Sequence, residues 1–162
     1  MKEQMSSPRI RIRGAEGLMK LAFSRDGKYL CAGTTSGIRI YSWNDVLSST
    51  QDTPSPEFAA SNQPPEELNP RSHVYDIRHD SNHNLLIYCE ISGRINAMNL
   101  NTGEVKTLVE FSNNRCATNI ALSRDGSALC SSSISMSKNQ SGLSPLLQIW
   151  NYPALLKKAG IT

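Results

Sequence analysis

A chain of 162 residues, 38% apolar and 19% charged, has room for one domain with a real core and generous loops. The formal charge of +3 does not demand a nucleic-acid partner, and none is expected. No apolar run approaches the roughly 18 residues a membrane helix needs, and the start MKEQMSSPRIRIRG lacks the apolar centre of a signal peptide. The expectation is therefore a cytoplasmic protein that engages neither membrane nor nucleic acid.

The first element is PRIRIRG, where Arg9, Arg11 and Arg13 alternate with Ile10 and Ile12. On a strand the three guanidinium groups share one face. Either they contact a phosphate or an acidic partner, or they line an edge strand whose charge discourages edge-to-edge pairing; the second reading is the plainer.

LAFSRDGKYLCAGTTSGIRIYSW follows, with three short apolar runs separated by Asp-Gly and Ser-Gly. Glycine accepts φ > 0 at little cost, so both dipeptides suit tight hairpins. The spacing predicts strands over Leu18–Phe23, Lys28–Gly33 and Ile38–Trp43. These runs are apolar on both faces in places, as strands buried between other sheets are.

Residues 45–72 hold five prolines and many Ser and Asn, which predicts a flexible insertion. Within it, PEFAA is a candidate fourth strand for the first unit. Thr53-Pro54 and Ser55-Pro56 resemble proline-directed phosphorylation sites, although a loop rich in Ser and Pro is sufficient explanation.

The rhythm then returns. Strands are predicted over His73–His79, Leu85–Glu90, Arg94–Leu100 and Glu104–Val109, a complete four-stranded meander. A third copy runs Ala117–Leu122, Ser127–Ser132 and, after the loop ISMSKNQSGLSP, Leu146–Tyr152. The tail NYPALLKKAGIT predicts a short helix after Pro153 or a final strand edge, with Leu155 and Leu156 docked and Lys157 and Lys158 wet.

Cys31, Cys89 and Cys130 fall at one equivalent point of the three copies. Equivalent positions in successive units do not face each other, so they read as small buried apolar residues rather than disulfides. His73, His79 and His83, with Asp76 and Asp80, hint at a metal. Yet His73 and His79 on one strand stand about 20 Å apart, too far to share an ion, so no metal is expected. There is no phosphate loop, nucleophile elbow or paired-cysteine motif, hence no cofactor and no enzyme.

Taken together, Ser24-Arg25-Asp26-Gly27, Ser123-Arg124-Asp125-Gly126, Ile-Arg-Ile-Tyr at 38–41 and Leu-Gln-Ile-Trp-Asn at 147–151 resemble the WD-repeat family of β-propellers. Gly14-Ala15-Glu16-Gly17 sits where that family often has Gly-His-x-Gly. The chain departs from the pattern as well: Ala15 stands at the family's His and Ser36 at its Asp. Tyr41 and Met98 stand where Trp is usual, so the family's buried polar network is complete in no copy. Apolar packing is expected to hold the units instead, at roughly 25 cal/mol per Å² buried.

The resemblance implies an all-β fold: residues 1–162 as one partial propeller of three to four four-stranded antiparallel blades, in an incomplete ring. It implies a non-catalytic scaffold for protein partners, with contacts on the rim of loops, where Arg25, Tyr75, Arg78 and Arg124 are the candidates. The alternative is a propeller portion of a larger enzyme or sensor. Open blades expose apolar faces, so the chain is one piece of a longer protein, a self-associating unit that covers those faces, or a compact curved stack.

Overall fold

Two strands that alternate around Asp-Gly cannot hide both faces alone, and the computed structural model shows how the chain solves this. It describes residues 17–48, 58–59, 73–111, 115–135 and 145–161. The arginine-rich segment at 9–13, Ala15, the proline-directed pairs and the loop at 136–144 lie outside the described residues, as does most of 45–72.

Sheet one is antiparallel, made of β1 (Lys20–Phe23), β2 (Tyr29–Thr34), β3 (Gly37–Ser42) and β4 (Phe58–Ala59), in that spatial order. Sheet two is β5 (Val74–Asp80), β6 (Leu85–Glu90), β7 (Arg94–Asn99) and β8 (Val105–Glu110). Sheet three has β9 (Arg115–Leu122), β10 (Ala128–Ser135) and β11 (Leu146–Asn151). Each sheet is a meander with sequential neighbours paired, and the fold is mostly β. The short β4, lying inside PEFAA, pairs with β3 through Ile40 opposite Phe58.

Two helices follow third strands. Trp43–Ser48 forms α1, so Trp43 ends no strand and Asp45–Ser48 leave the expected insertion. The physical reason is local: the Ser42 hydroxyl accepts the Asp45 N–H at 3.4 Å, and Val46 buries itself against Leu30, Ala32 and Tyr41. Tyr152–Lys158 forms α2, capped by Asn151, whose side-chain oxygen accepts the Ala154 N–H at 2.9 Å. Pro153 in its first turn fits, because a proline there gives up a donor that has no helical partner.

Sheet two is the middle layer. Its β6, LLIYCE, is buried along nearly its whole length because side chains alternate between two covered faces. Leu86, Tyr88, Met98 and Ile77 meet Cys31, Ile38 and Ile40 of sheet one. Leu85, Ile87, Cys89 and Ile95 meet Ala117, Ile120 and Leu129 of sheet three, with Tyr152 and Leu156 of α2 added. Burying each such side chain contributes roughly 1.5–3 kcal/mol. All four cysteines are free; Cys31, Cys89 and Cys116 are buried, but Cys130 is half-exposed. Burial pushes the Cys31 and Cys89 thiols up to about 12, so neither is a nucleophile.

Close approach between sheets needs glycine at two points. A Cβ on Gly33 would stand 2.8 Å from the Val74 side chain at the junction of sheets one and two. One on Gly93, which adopts φ +86°, would stand 2.6 Å from the Arg115 carbonyl oxygen.

Candidate functional site

The turns after β1, β5 and β9 all lie at one end of the three sheets, because these strands run the same way in the meanders. Ser24-Arg25-Asp26-Gly27 and Ser123-Arg124-Asp125-Gly126 close alike: the Gly27 N–H donates to the Ser24 carbonyl at 3.0 Å, and the Gly126 N–H to the Ser123 carbonyl at 3.0 Å. Both glycines adopt φ near +70°. In each turn the aspartate serves its own loop. The Ser24 hydroxyl, 2.6 Å away, and the Lys28 N–H hold the Asp26 carboxyl down at about 2. The Ser123 hydroxyl, then the Ser127 N–H and hydroxyl, hold Asp125 at about 2. Both acids accept bonds from their own loops yet stay exposed, as do Arg25 and Arg124 beside them.

The middle turn, Ser81–Asn84, bridges the other two. Arg25 donates its backbone N–H to His79 Nδ1 at 3.0 Å and its guanidinium to Ser81 Oγ at 3.2 Å. On the other side, a Cβ on Gly126 would touch the Asn82 amide nitrogen at 3.3 Å. Arg25, Asn82, His83 and Arg124 thus form one row across three sheets.

Two buried carboxylates on β5 tie the sheets together, Asp80 next to the row and Asp76 toward the far end of the strand. Asp76 Oδ2 accepts the Ile120 N–H of sheet three at 3.0 Å. Its Oδ1 receives the Ile77 N–H at 3.0 Å, Arg78 at 2.7 Å and the Lys20 ammonium of sheet one at 3.2 Å. One side chain therefore ties all three sheets. A buried carboxylate is tolerated only when paired and hydrogen-bonded in this way. Asp80 Oδ2 accepts the Tyr152 hydroxyl at 2.8 Å and sits 2.7 Å from His83 Nδ1. Burial alone pushes the Asp80 carboxyl up, but the bonds from His83, Tyr152 and the Asn82 N–H outweigh it, and its pKa lies below the usual carboxylate value. Burial and the neighbouring Asp80 push the Tyr152 phenol up.

The four residues expected from sequence do not all meet. Arg25 and Arg124 share the row. Arg78 lies beneath it, half-buried and engaged by Asp76 and the Ile77 carbonyl. Tyr75 stands toward the opposite end of β5, half-buried against the core, beside an irregularity in the β5–β6 register. Sequence reasoning set Asp76 and Asp80 beside the histidines only as a metal hint. Their roles are structural, and the expectation that apolar packing alone joins the sheets is corrected accordingly. Among the described residues, no three His, Cys, Asp or Glu side chains are grouped to hold a metal, and no helix is long and apolar enough to cross a membrane. A small cleft of about 180 Å³ lies beside β7 and β8, near Leu85, Asn99, Glu104, Lys106 and Ile161. It is bordered by the Lys106–Glu104 ion pair at 3.3 Å.

No family model and no curated protein matches the chain. Among solved structures it is similar to the extracellular domain of a hybrid two-component system from B. thetaiotaomicron, at 15% identity and a TM-score of 0.54. That likeness covers 81% of this chain and 16% of the other, so the chain spans a small part of that protein's length. At this identity the likeness concerns fold alone.

Proposed function

We propose that the chain is a non-catalytic, WD-repeat-like scaffold whose three sheets are propeller-type blades and whose row of turns binds a protein partner. The observation that carries this reading is the row itself. Arg25 and Arg124 point outward from two turns of one design, held in register across a third turn. Arginine is favoured at interfaces because its planar fork makes paired hydrogen bonds. A rigid support also limits the entropy lost on binding. The two arginine forks, each beside an exposed aspartate committed to its own turn, suit a carbonyl-rich or acidic segment of a partner.

The free thiols are in keeping with a reducing compartment, and we place the protein in the cytoplasm. The second reading, a propeller portion of a larger sensor, is favoured by the fold likeness to part of a sensor's extracellular domain.

The test is comparative capture. Wild-type chain and an Arg25→Glu/Arg124→Glu variant of equal melting temperature are cross-linked in cell extract. The scaffold reading expects a discrete protein partner on the wild type that falls at least ~10-fold on the variant, as the loss of two arginine contacts implies. Equal capture by both chains would remove the row as the binding surface.

A further inference from the structure

Sheets one and three correspond residue by residue. Both carry Ser-Arg-Asp-Gly, so Leu21, Lys28 and Cys31 match Ile120, Ser127 and Cys130. Cys31 lies opposite Ile40 and Cys130 opposite Ile149, so Ile38 and Ile40 match Leu147 and Ile149. The helices match too: Trp43 N–H donates to the Lys28 carbonyl at 2.7 Å, and Tyr152 N–H to the Ser127 carbonyl at 3.1 Å. Leu47 is then the counterpart of Leu156.

Stacking inside the chain has one direction. The Cys31 face of sheet one seats on the Leu86 and Tyr88 face of sheet two, and the Cys89 face of sheet two seats on the Ile120 and Leu129 face of sheet three. The cysteine face is always the forward one. On sheet one, Ile38 and Ile40 of that face are 2% and 0% exposed. On sheet three their counterparts Leu147 and Ile149 are each 70% exposed. The rear faces show the reverse. Ile120 and Leu156 are 2% and 3% exposed, whereas Leu21 and Leu47 on sheet one are 51% and 45%. Positions that are core at the internal junctions are thus bare on the forward face of sheet three and along β1 and α1 on the rear of sheet one, where α1 covers only Leu30, Ala32 and Tyr41. Cys130 is accordingly half-exposed where its counterpart Cys31 is buried. Large bare apolar faces of this kind mark interaction surfaces.

We propose that the forward face of sheet three seats on the rear face of sheet one of a second copy, and that the reciprocal contact closes a two-fold ring of six sheets. The occupant follows from continuity: the rear face that sheet three requires is built to the same positions as the one it already presents to sheet two, and sheet one of another copy carries it. A forward-on-rear contact is heterologous, and such contacts either close into a ring or run on as a filament. Two chains of three sheets reach six, within the four to eight blades of closed propellers. The inference rests on the propeller-type reading of the sheets and is independent of what the row of turns binds.

Light scattering on the full chain after size exclusion is expected to give twice the 17.9 kDa of one chain. Ile149→Asp and Leu21→Asp, both at exposed positions and both checked by circular dichroism for an unchanged fold, should each weaken the dimer at least ~100-fold, because each buries an unpaired charge in both contacts. An equimolar mixture of the two variants should dimerise again, since one junction of the mixed pair is wild type. A monomeric wild-type chain, a mixture that stays monomeric, or a ladder of larger species would overturn the ring. So would a Leu21→Asp chain that dimerises normally, because that would mean sheet-three faces meeting each other. The Arg25→Glu/Arg124→Glu variant should dimerise as wild type, so loss of the ring and loss of the partner-binding row are distinguished.

Discussion

Asp76 illustrates how much one side chain can hold when it is buried with both carboxylate oxygens engaged. Asp76→Ala removes the acceptor for the Ile120 and Ile77 N–H groups and takes the carboxylate away from Arg78 and Lys20. The expected loss is about 3–5 kcal/mol, read from the urea midpoint of unfolding, with Asp76→Asn recovering a part. The turn aspartates offer a second residue-scale outcome. Their carboxyls, at about 2, lie below the ordinary carboxylate value of 3.8. The turn bonds they accept are therefore complete above about pH 4 and are lost as pH falls through about 2. Carbon-detected NMR titration should show both midpoints near 2, and Ser24→Ala should move Asp26 alone toward the ordinary value.

At the scale of elements, α2 is a clamp between sheets two and three rather than a trailing tail. Tyr152→Phe keeps its buried ring and loses the hydroxyl that meets Asp80, an expected cost of about 1.5 kcal/mol in thermal unfolding. The same change lets the Asp80 pKa rise. The stability that Asp80 contributes above the ordinary carboxylate pKa, and surrenders as pH falls through its lowered folded value, should shrink accordingly. At the turn between β6 and β7, Gly93→Ala must accept both φ +86° and a 2.6 Å approach to the Arg115 carbonyl oxygen. It is expected to cost more than ~1 kcal/mol.

The elements also show what sequence could and could not reveal. Strands β5 to β8 were legible within a residue or so because alternation and Gly turns are local properties. The start of α1 was not. Trp43 extends an apolar strand pattern, and the Ser42 hydroxyl together with the burial of Val46 against sheet one favours the helix. Arg25 and Arg124 were legible as matching turn residues from their identical Ser-Arg-Asp-Gly sequences. Arg78 looked like a third, but its fate depends on Asp76, two residues away and buried for reasons of tertiary packing. Tyr75 failed to join them because direction along a strand, set by which end each turn occupies, is not written in residue type.

For the whole molecule, the central sheet is the common partner of both others, and the ends are alike in what they lack. That asymmetry of forward and rear faces carries the expectation of a six-sheet ring, and it positions two rows of turns, one per copy, on a single assembly. A partner with two acidic segments would then gain affinity by engaging both rows at once, provided its linker spans them.

The bond from Ile120 to Asp76 has a quieter implication. The donor is a main-chain amide, which every residue except proline supplies. Position 120 is free to drift among apolar side chains without loosening the tie, whereas Ile120→Pro would sever it while leaving the pattern of oily residues almost untouched. A fastening of this sort leaves its mark on just one of the two residues it joins, so a reader scanning for matched side chains would pass over it.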